Sequence, residues 1–334
     1  MSAEQTLSKP VLVLVDHENN GDGKWSLTAA SEAVVRRARE LSSADVYALS
    51  LVPEPDTDAL AAAGVQTVFV AEAEGFSPRV PAGITDAMIA AVERVGDLGA
   101  VFVVSTYRGR AVAAMLGVRL ESGAAGDVGE VEVEGDHFVA RKTALAGAWR
   151  TTFSVGGGVP VLAFRTGAGS TSDVTPGAAQ VEALKFDLSR GAKDVVVDQS
   201  ARIDGGARIG LNEADVAVVA GRGVDGDFDL VEELADLLGA AVGATRVACD
   251  EGWVGRSAQI GQTGLSIAPK LYVGLGVSGA VHHTCGMLAS EKIVAVVDDP
   301  DAPIAELADF TVIGDVSEVV PAAIEELRAR GADA

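Results

Sequence analysis

Two cysteines, Cys249 and Cys285, are all that the 334 residues contain. That is too few for a disulfide framework, and a lone pair in a chain of this size reads as reduced thiols in a cytoplasmic protein. No apolar run approaches the ~20 residues that a membrane-spanning helix needs, and the first ten residues are polar, unlike a leader peptide. Cations are scarce: Lys and Arg number 26 against 48 Asp and Glu, a formal net charge of -22. Such a surface repels phosphate backbones and anionic lipid, which argues against a broad electrostatic grip on nucleic acid. The acidity serves solubility, and the shortage of lysine also fits adaptation to high salt. Histidines number four. His282, His283 and Cys285 cluster, but adjacent histidines on a helix diverge by about 100° and the spacing matches no zinc pattern, so no metal is expected.

Hydrophobic residues make up 48% of the chain, enough to fill two cores at this length. Val11–Val15 is a continuous apolar run ending at Asp16, followed by a polar turn from His17 to Gly23 and a helical pattern from Ser26 to Leu41. Strand-like and helical stretches then alternate: strands over 45–51, 67–70 and 99–104, helices over 84–95 and 111–116, with a loop at 107–110 between the last strand and helix. This is the signature of a parallel sheet with crossover helices. From Gly126 to Phe164 short alternating strands suit an antiparallel extension of the same sheet. Residues 166–180 are rich in Gly, Ser, Thr and Pro, and 185–210 are weakly patterned. The reading is therefore α/β with two domains: an N-terminal α/β sheet domain over 1–180, a linker over 181–210, and a doubly wound domain over 211–334. In the second domain strands are expected over 215–220, 246–249, 271–277, 293–297 and 310–313. Helices are expected over 228–238, from near Ser278, over 304–307 and over 316–330.

Gly221, Gly223 and Gly226 spell G-x-G-x-x-G directly after a predicted strand and before a helix, where backbone N–H groups and a helix end can hold a pyrophosphate. Asp250, read as the end of the next strand, offers a carboxylate to a ribose, so an NAD-dependent oxidoreductase built on this turn is one reading. Further glycine- and hydroxyl-rich segments follow: Val242–Arg246, Gln259–Gly264 and Gly274–His283. Loops at the carboxyl ends of parallel strands converge on one crevice, so these segments can surround one flavin or nucleotide. Gly156-Gly157-Gly158 has no helix after it and reads as a turn. The loop from Ser105 to Arg110 follows a strand end and has an anion-binding look, yet a structural role suits it better.

Taken together these segments closely resemble the C-terminal FAD domain of electron-transfer flavoprotein α subunits, most densely over 221–327, including Tyr272–Ala280 and Asp301–Ile304; the N-terminal half resembles the family more loosely, at Val11–Asn20 and Gly109–Leu116. The resemblance implies an N-terminal nucleotide-hydrolase-like sheet domain acting as a platform for a β subunit, and a Rossmann-like FAD-binding domain. It implies that FAD is contacted by Arg222, by Thr245 where the family commonly has Ser, by Arg246, by Ile260, Gly261, Gln262 and Thr263, by Ser278, Gly279, Ala280, Val281, His282 and His283, and by Asp315 and Val316. Arg246 would lie against the isoalloxazine ring, His283 would hydrogen-bond near the pyrimidine carbonyl, and Thr263 would reach toward the reactive ring nitrogen. One departure is Val297, where the family usually has Asn, which removes a polar contact.

An electron carrier must hold a singly reduced, negatively charged flavin, and a fixed cation beside the ring is the device that does so. Arg246 supplies it, and a guanidinium keeps its charge across ordinary pH. At His283 a helix end lowers the pKa and an anionic flavin raises it, and the sequence does not rank the two. The function implied is a non-enzymatic electron carrier, one half of a heterodimer whose β subunit holds AMP. It would take electrons from dehydrogenases such as the acyl-CoA dehydrogenases of fatty acid β-oxidation and deliver them to a membrane quinone reductase. A third reading, a nucleotide-binding descendant that has lost tight FAD binding, is motivated by Val297 alone.

Overall fold

A computed structural model describes residues 6–19, 23–135, 137–144, 149–155, 158–165, 179–200 and 209–331. The chain divides into two compact units, residues 1–144 with 150–201 and residues 145–149 with 202–334.

The first unit opens with β1 (Val11–Val15), a hairpin of β2 (His17–Asn19) and β3 (Trp25–Leu27), and α1 (Ala29–Leu41). It continues through β4 (Val46–Ser50), α2 (Thr57–Ala63), β5 (Thr67–Glu72), α3 (Pro81–Val95), β6 (Ala100–Val104) and α4 (Tyr107–Arg119). Then come β7 (Ala124–Val128), β8 (Glu130–Glu134), β9 (His137–Ala144), β10 (Trp149–Ser154), β11 (Val161–Phe164), β12 (Gln180–Lys185) and α5 (Arg190–Lys193). Seven strands form one parallel sheet in the order β12-β5-β4-β1-β6-β11-β7. Every residue of β1 is buried because each face meets a separate core. Val11, Val13 and Val15 pack with α1 residues such as Val34 and Val35, while Leu12 and Leu14 pack with Ile84 and Met88 of α3. A continuous apolar run is what a strand covered on both faces requires.

Four expectations change here. The helix expected from Ser26 starts at Ala29, because Thr28 caps it by accepting from the Ser31 amide, and Trp25–Leu27 pairs back on His17–Asn19. Residues 107–110, expected as a loop, form the first turn of α4, capped by Thr106 on the Gly109 amide. The antiparallel extension is not part of the main sheet: β8, β9 and β10 form their own three-stranded sheet, whereas β7 and β11 pair in parallel within the first. The distinction follows burial, since β8 alternates Glu and Val with one face covered, while all of β11 is buried. Finally, part of the expected linker is a strand. β12 pairs with β5 along six residues, from Gln180 opposite Thr67 to Lys185 opposite Glu72, so the first unit continues past residue 180. Residues 166–178, 201–208, 156–157 and Asn20, which carried other expectations, lie outside the described residues.

The second unit contains β13 (Val216–Ala220), a 3₁₀ turn at Arg222–Val224, α6 (Phe228–Leu237), β14 (Ala241–Ala244), α7 (Arg246–Asp250), a second 3₁₀ turn at Arg256–Ala258, β15 (Leu271–Leu275) and α8 (Val281–Thr284). It ends with β16 (Lys292–Val297), α9 (Pro303–Leu307), β17 (Phe310–Ile313) and α10 (Val316–Ala329). All five strands are parallel, in the order β14-β13-β15-β16-β17. The strand expected over 246–249 is instead the helix α7, and the strand of this unit is the run of small apolar residues just before it. Val247 and Cys249 suit a strand by propensity, but tertiary packing overrides that weak preference.

From β13 the chain first goes to β14 on one side and then returns to β15 on the other, so the loops leaving β13 and β15 diverge and open a crevice at their carboxyl ends. Glycines set how closely those two loops approach. The Gly221 amide donates to the Leu275 carbonyl at 2.8 Å and the Gly223 amide to the Gly276 carbonyl at 3.1 Å. A Cβ on Gly221 would lie 2.1 Å from the Gly276 oxygen.

Candidate functional site

A cleft of about 700 Å³ occupies this crevice. Its first wall is the turn after β13, with Gly221, Arg222, Gly223 and Asp225; its second is the start of α7, with Thr245, Arg246 and Val247. The third wall is the loop carrying Gln259, Ile260, Gln262 and Thr263, and the fourth runs from Gly276 to Ala280 and on to His282 and His283. Val297, Asp298, Asp299, Ala302 and Pro303, after β16, close the fifth side. Eleven of the fifteen residues expected at the site therefore line one cleft, although they come from separate segments between Arg222 and His283.

Four do not line it. Gly261 sits behind the third wall with its amide on the Leu265 carbonyl, and a Cβ there would meet the His282 carbonyl at 2.3 Å, so it seats the loop against α8. Val281 is on α8 but turned to solvent. Asp315 and Val316 are the larger departure: Asp315 uses its carboxylate to cap α10 through the Ser317 amide and hydroxyl, and Val316 is buried in the core beside Val320 and Ile324.

Sequence reasoning missed Asp225, Asp298 and Asp299 on the cleft wall. The rule that ligands gather at strand carboxyl ends applies equally to β16, and Asp298-Asp299 directly follows it, so that signal was available.

The NAD reading loses its carboxylate. Asp250 ends α7 rather than a strand; one oxygen accepts from Arg246 Nε at 3.2 Å and the other is ion-paired with Arg256, so both are engaged by guanidinium groups. The start of α6, where a pyrophosphate would sit, is capped by the Asp227 carboxylate on the Leu230 amide.

His283 departs from expectation in its hydrogen bonds. It is buried, with Nδ1 3.1 Å from the Ile260 carbonyl and Nε2 2.8 Å from the Tyr272 hydroxyl. A carbonyl only accepts, so Nδ1 carries the proton and the Tyr272 hydroxyl donates to Nε2. Neither ring nitrogen is left to reach a pyrimidine carbonyl. Burial, an influence weighed in sequence against neither the helix end nor the cofactor, dominates and pushes the imidazole down to about 4, with the Ile260 carbonyl opposing weakly.

This sets a pH dependence. The unfolded imidazole titrates near 6.5, so the stabilisation from keeping His283 neutral is complete above about pH 6.5 and is lost as pH falls toward 4, about 3 kcal/mol in all. His17 in the first unit is held down to about 4 by burial as well. Thermal denaturation from about pH 7 to about pH 4 is expected to show a falling midpoint, with the fall reduced in His283→Gln. A variant that tracks the unmodified chain at every pH would show that His283 does not contribute.

Thr245 is the clearest unfilled feature. It is 9% exposed, it precedes α7 without capping it, and its hydroxyl has no hydrogen-bond partner among the described residues although it lines the cleft. A buried hydroxyl without a partner costs about 1–3 kcal/mol, which a ligand's polar group in the cleft would recover.

Comparison with known proteins agrees with this geometry. Residues 210–288 match the family described as the electron transfer flavoprotein FAD-binding domain, and residues 11–189 match the electron transfer flavoprotein domain. Electron transfer flavoprotein subunit alpha of Mycobacterium leprae is 35% identical over 323 residues, which cover 96% of this chain and 98% of that protein. The chain belongs to the electron transfer flavoprotein α-subunit family. The subunit alpha of Syntrophomonas wolfei is 36% identical over 79% of this chain and 83% of its own, and that of Bacillus subtilis 33% identical over 79% and 81%. Membership accounts for the parallel α/β architecture of both halves, and the family pairs its α subunit with a β subunit. Among the described residues no helix is long and apolar enough to cross a membrane, and no group of three or more His, Cys, Asp or Glu is placed to hold a metal. Val297, expected above as a departure from the family pattern, lines the cleft and is 4% exposed, so position 297 presents no polar side chain to it.

Proposed function

We propose that the cleft at the switch point of the second unit holds FAD, and that the chain, paired with a β subunit carrying AMP, takes electrons from dehydrogenases such as acyl-CoA dehydrogenases and passes them to a membrane quinone reductase. The observation that carries the cofactor reading is the orphaned Thr245 hydroxyl, buried against a cleft that also presents two guanidinium groups, Arg222 and Arg246. When bound, the flavin supplies the redox chemistry, taking up and releasing electrons; the residues of this chain bind and tune it.

Each wall has a distinct part. The close-packed glycine loops after β13 and β15 bring backbone rather than side chains to the ligand. Arg246 provides a fixed cation on one wall, where it favours added negative charge. Thr263 faces the same space with a hydroxyl that already accepts a hydrogen bond from Gln259 Nε2 at 2.9 Å, so its own proton is available to an acceptor in the cleft. His283 stays neutral and, tethered at both nitrogens, acts as a rigid floor. Asp225, Asp298 and Asp299 place negative charge at the rim, which disfavours multiply charged anions other than one held by the arginines.

Thr245→Val tests the reading from two sides. Replacing a partnerless buried hydroxyl by a methyl of similar shape is expected to leave the FAD-free chain as stable or about 0.5 kcal/mol more stable. The same change is expected to weaken FAD binding by about fivefold, the worth of one hydrogen bond. Denaturation of the FAD-free chain and a fluorescence titration with FAD, made on the full chain co-expressed with its β subunit, measure the two effects. Unaltered FAD affinity, or no flavin bound by the unmodified protein, would remove the reading.

A further inference from the structure

The second and third walls of the cleft are tied together by a continuous chain of side-chain hydrogen bonds. Arg246 Nε donates to one oxygen of Asp250, Arg256 Nη2 to the other, Arg256 Nη1 to Gln259 Oε1 at 3.0 Å, and Gln259 Nε2 to Thr263 Oγ1 at 2.9 Å. The two ends, Arg246 and Thr263, line the cleft; Asp250 and Arg256, in the middle, do not.

The chain has a direction. A carboxylate only accepts and a guanidinium only donates, so Asp250 and Arg256 leave no choice at their own links. Arg256 takes the Gln259 oxygen, which turns the amide so that its NH₂ faces Thr263, and Thr263 must then accept there and keep its own proton for the cleft. Gln259 is 2% exposed, so water does not compete for this orientation. At the other end Asp250 holds Arg246 by Nε alone, and the terminal guanidinium nitrogens make no hydrogen bond among the described residues. A free arginine on a surface samples many rotamers, and this tether keeps its cationic end at the wall.

We propose that Asp250 and Arg256 are positioning residues with one task each: Asp250 holds the Arg246 guanidinium at the cleft, and Arg256, through Gln259, fixes the Thr263 hydroxyl as a donor toward the cofactor. The proposal rests on the reading that the cleft holds FAD. It assigns a role to Arg256 that involves no contact with the ligand, and it makes the effect of Arg256 depend on a hydroxyl at the far side of Gln259.

That dependence is what an experiment can isolate. In the full chain with its β subunit, Arg256→Met is expected to raise the FAD dissociation constant about threefold or more, and to have little effect once Thr263→Val is present, a coupling typical of residues in one hydrogen-bonded network. Arg256→Lys keeps the charge but not the fork that spans Asp250 and Gln259, so it is expected to behave like Arg256→Met. In FAD-free protein the side-chain amide resonance of Gln259 is expected to shift in both Arg256 variants and to stay in place in a surface control, Lys292→Met. Additive penalties, an Arg256→Lys variant indistinguishable from the unmodified protein, or an undisturbed Gln259 resonance would each overturn the proposal. Unmodified protein that takes up no FAD would instead sink the cofactor reading, and this proposal with it, whereas normal flavin binding with additive penalties sinks this proposal alone.

Discussion

Arg246→Met is expected to lower the potential at which the bound flavin accepts its first electron by roughly 90 mV. Arg246 is the first residue of α7 and lines the cleft directly after the orphaned Thr245. A hydrogen bond between charged groups contributes about 2 kcal/mol, and at about 59 mV per tenfold change for one electron that energy corresponds to the stated shift. In the free chain the Arg246 side chain is 69% exposed and paired with Asp250, so water and the carboxylate screen it. A ring laid over the cleft removes much of that water, and the field of the guanidinium then falls on whatever charge develops there. Methionine preserves the length of the stem and the helix preference, so the fold should be retained. Lys292→Met is the control. It removes a cation ion-paired with Asp309 on the surface, and a shift of no more than about 10 mV is expected from it, given salt screening. A spectroelectrochemical titration of both variants decides the matter, and equal potentials for Arg246→Met and the control would mean that Arg246 does not face the ring.

A large effect on stability is expected at Gly276. This residue combines two demands: its φ of +61° lies in the left-handed region, and an added Cβ would sit 2.5 Å from the Gly223 Cα and 2.6 Å from its carbonyl carbon. Both neighbours are backbone, so neither can turn aside. The conformational penalty for alanine is about 1 kcal/mol and forced overlap in a packed region adds about 1–3 kcal/mol, so Gly276→Ala should destabilise the second unit by about 3 kcal/mol. It should also close the cleft by pushing the β15 loop off the Gly221–Gly223 turn. Gly239→Ala separates the two causes. Its φ is +60° with nothing within 4 Å of an added Cβ, so only the conformational part applies and about 1 kcal/mol is expected. Chemical denaturation of the two variants measures the difference, and equal losses would show that the close approach of the two loops carries no energetic weight.

How much of this was legible before folding differs from element to element. Strands buried on both faces announced themselves, because Val11–Val15 and Val216–Ala220 are unbroken apolar runs and no polar residue can be placed inside them. The G-x-G-x-x-G turn was legible as a turn, but its meaning was not. In sequence it suggested a dinucleotide grip at a helix start, whereas in the fold its first two glycines pack against Gly276 and Asp227 occupies the helix start. Arg246–Cys249 went wrong because β-branched and sulfur-bearing residues favour a strand only weakly, and the decision belonged to Thr245 and the sheet register, where β14 runs out at Ala244 opposite Ala220. Gln180–Lys185 went wrong because a strand at the edge of a sheet is half solvent-exposed and looks like a polar linker until its partner, β5, is known.

The sequence by itself determined the alternation of strand and helix, the two cores, and the short segments rich in glycine and hydroxyl groups that end up at one site, since each of these is a local property of hydrophobic period or backbone freedom. The tertiary structure alone decided the rest: which strands are neighbours, that Asp315 and Val316 fall away from the cleft, and that His283 is neutral and doubly tethered. Those outcomes depend on strand order and on burial, and both arise from contacts between residues far apart in the chain, which no local pattern encodes.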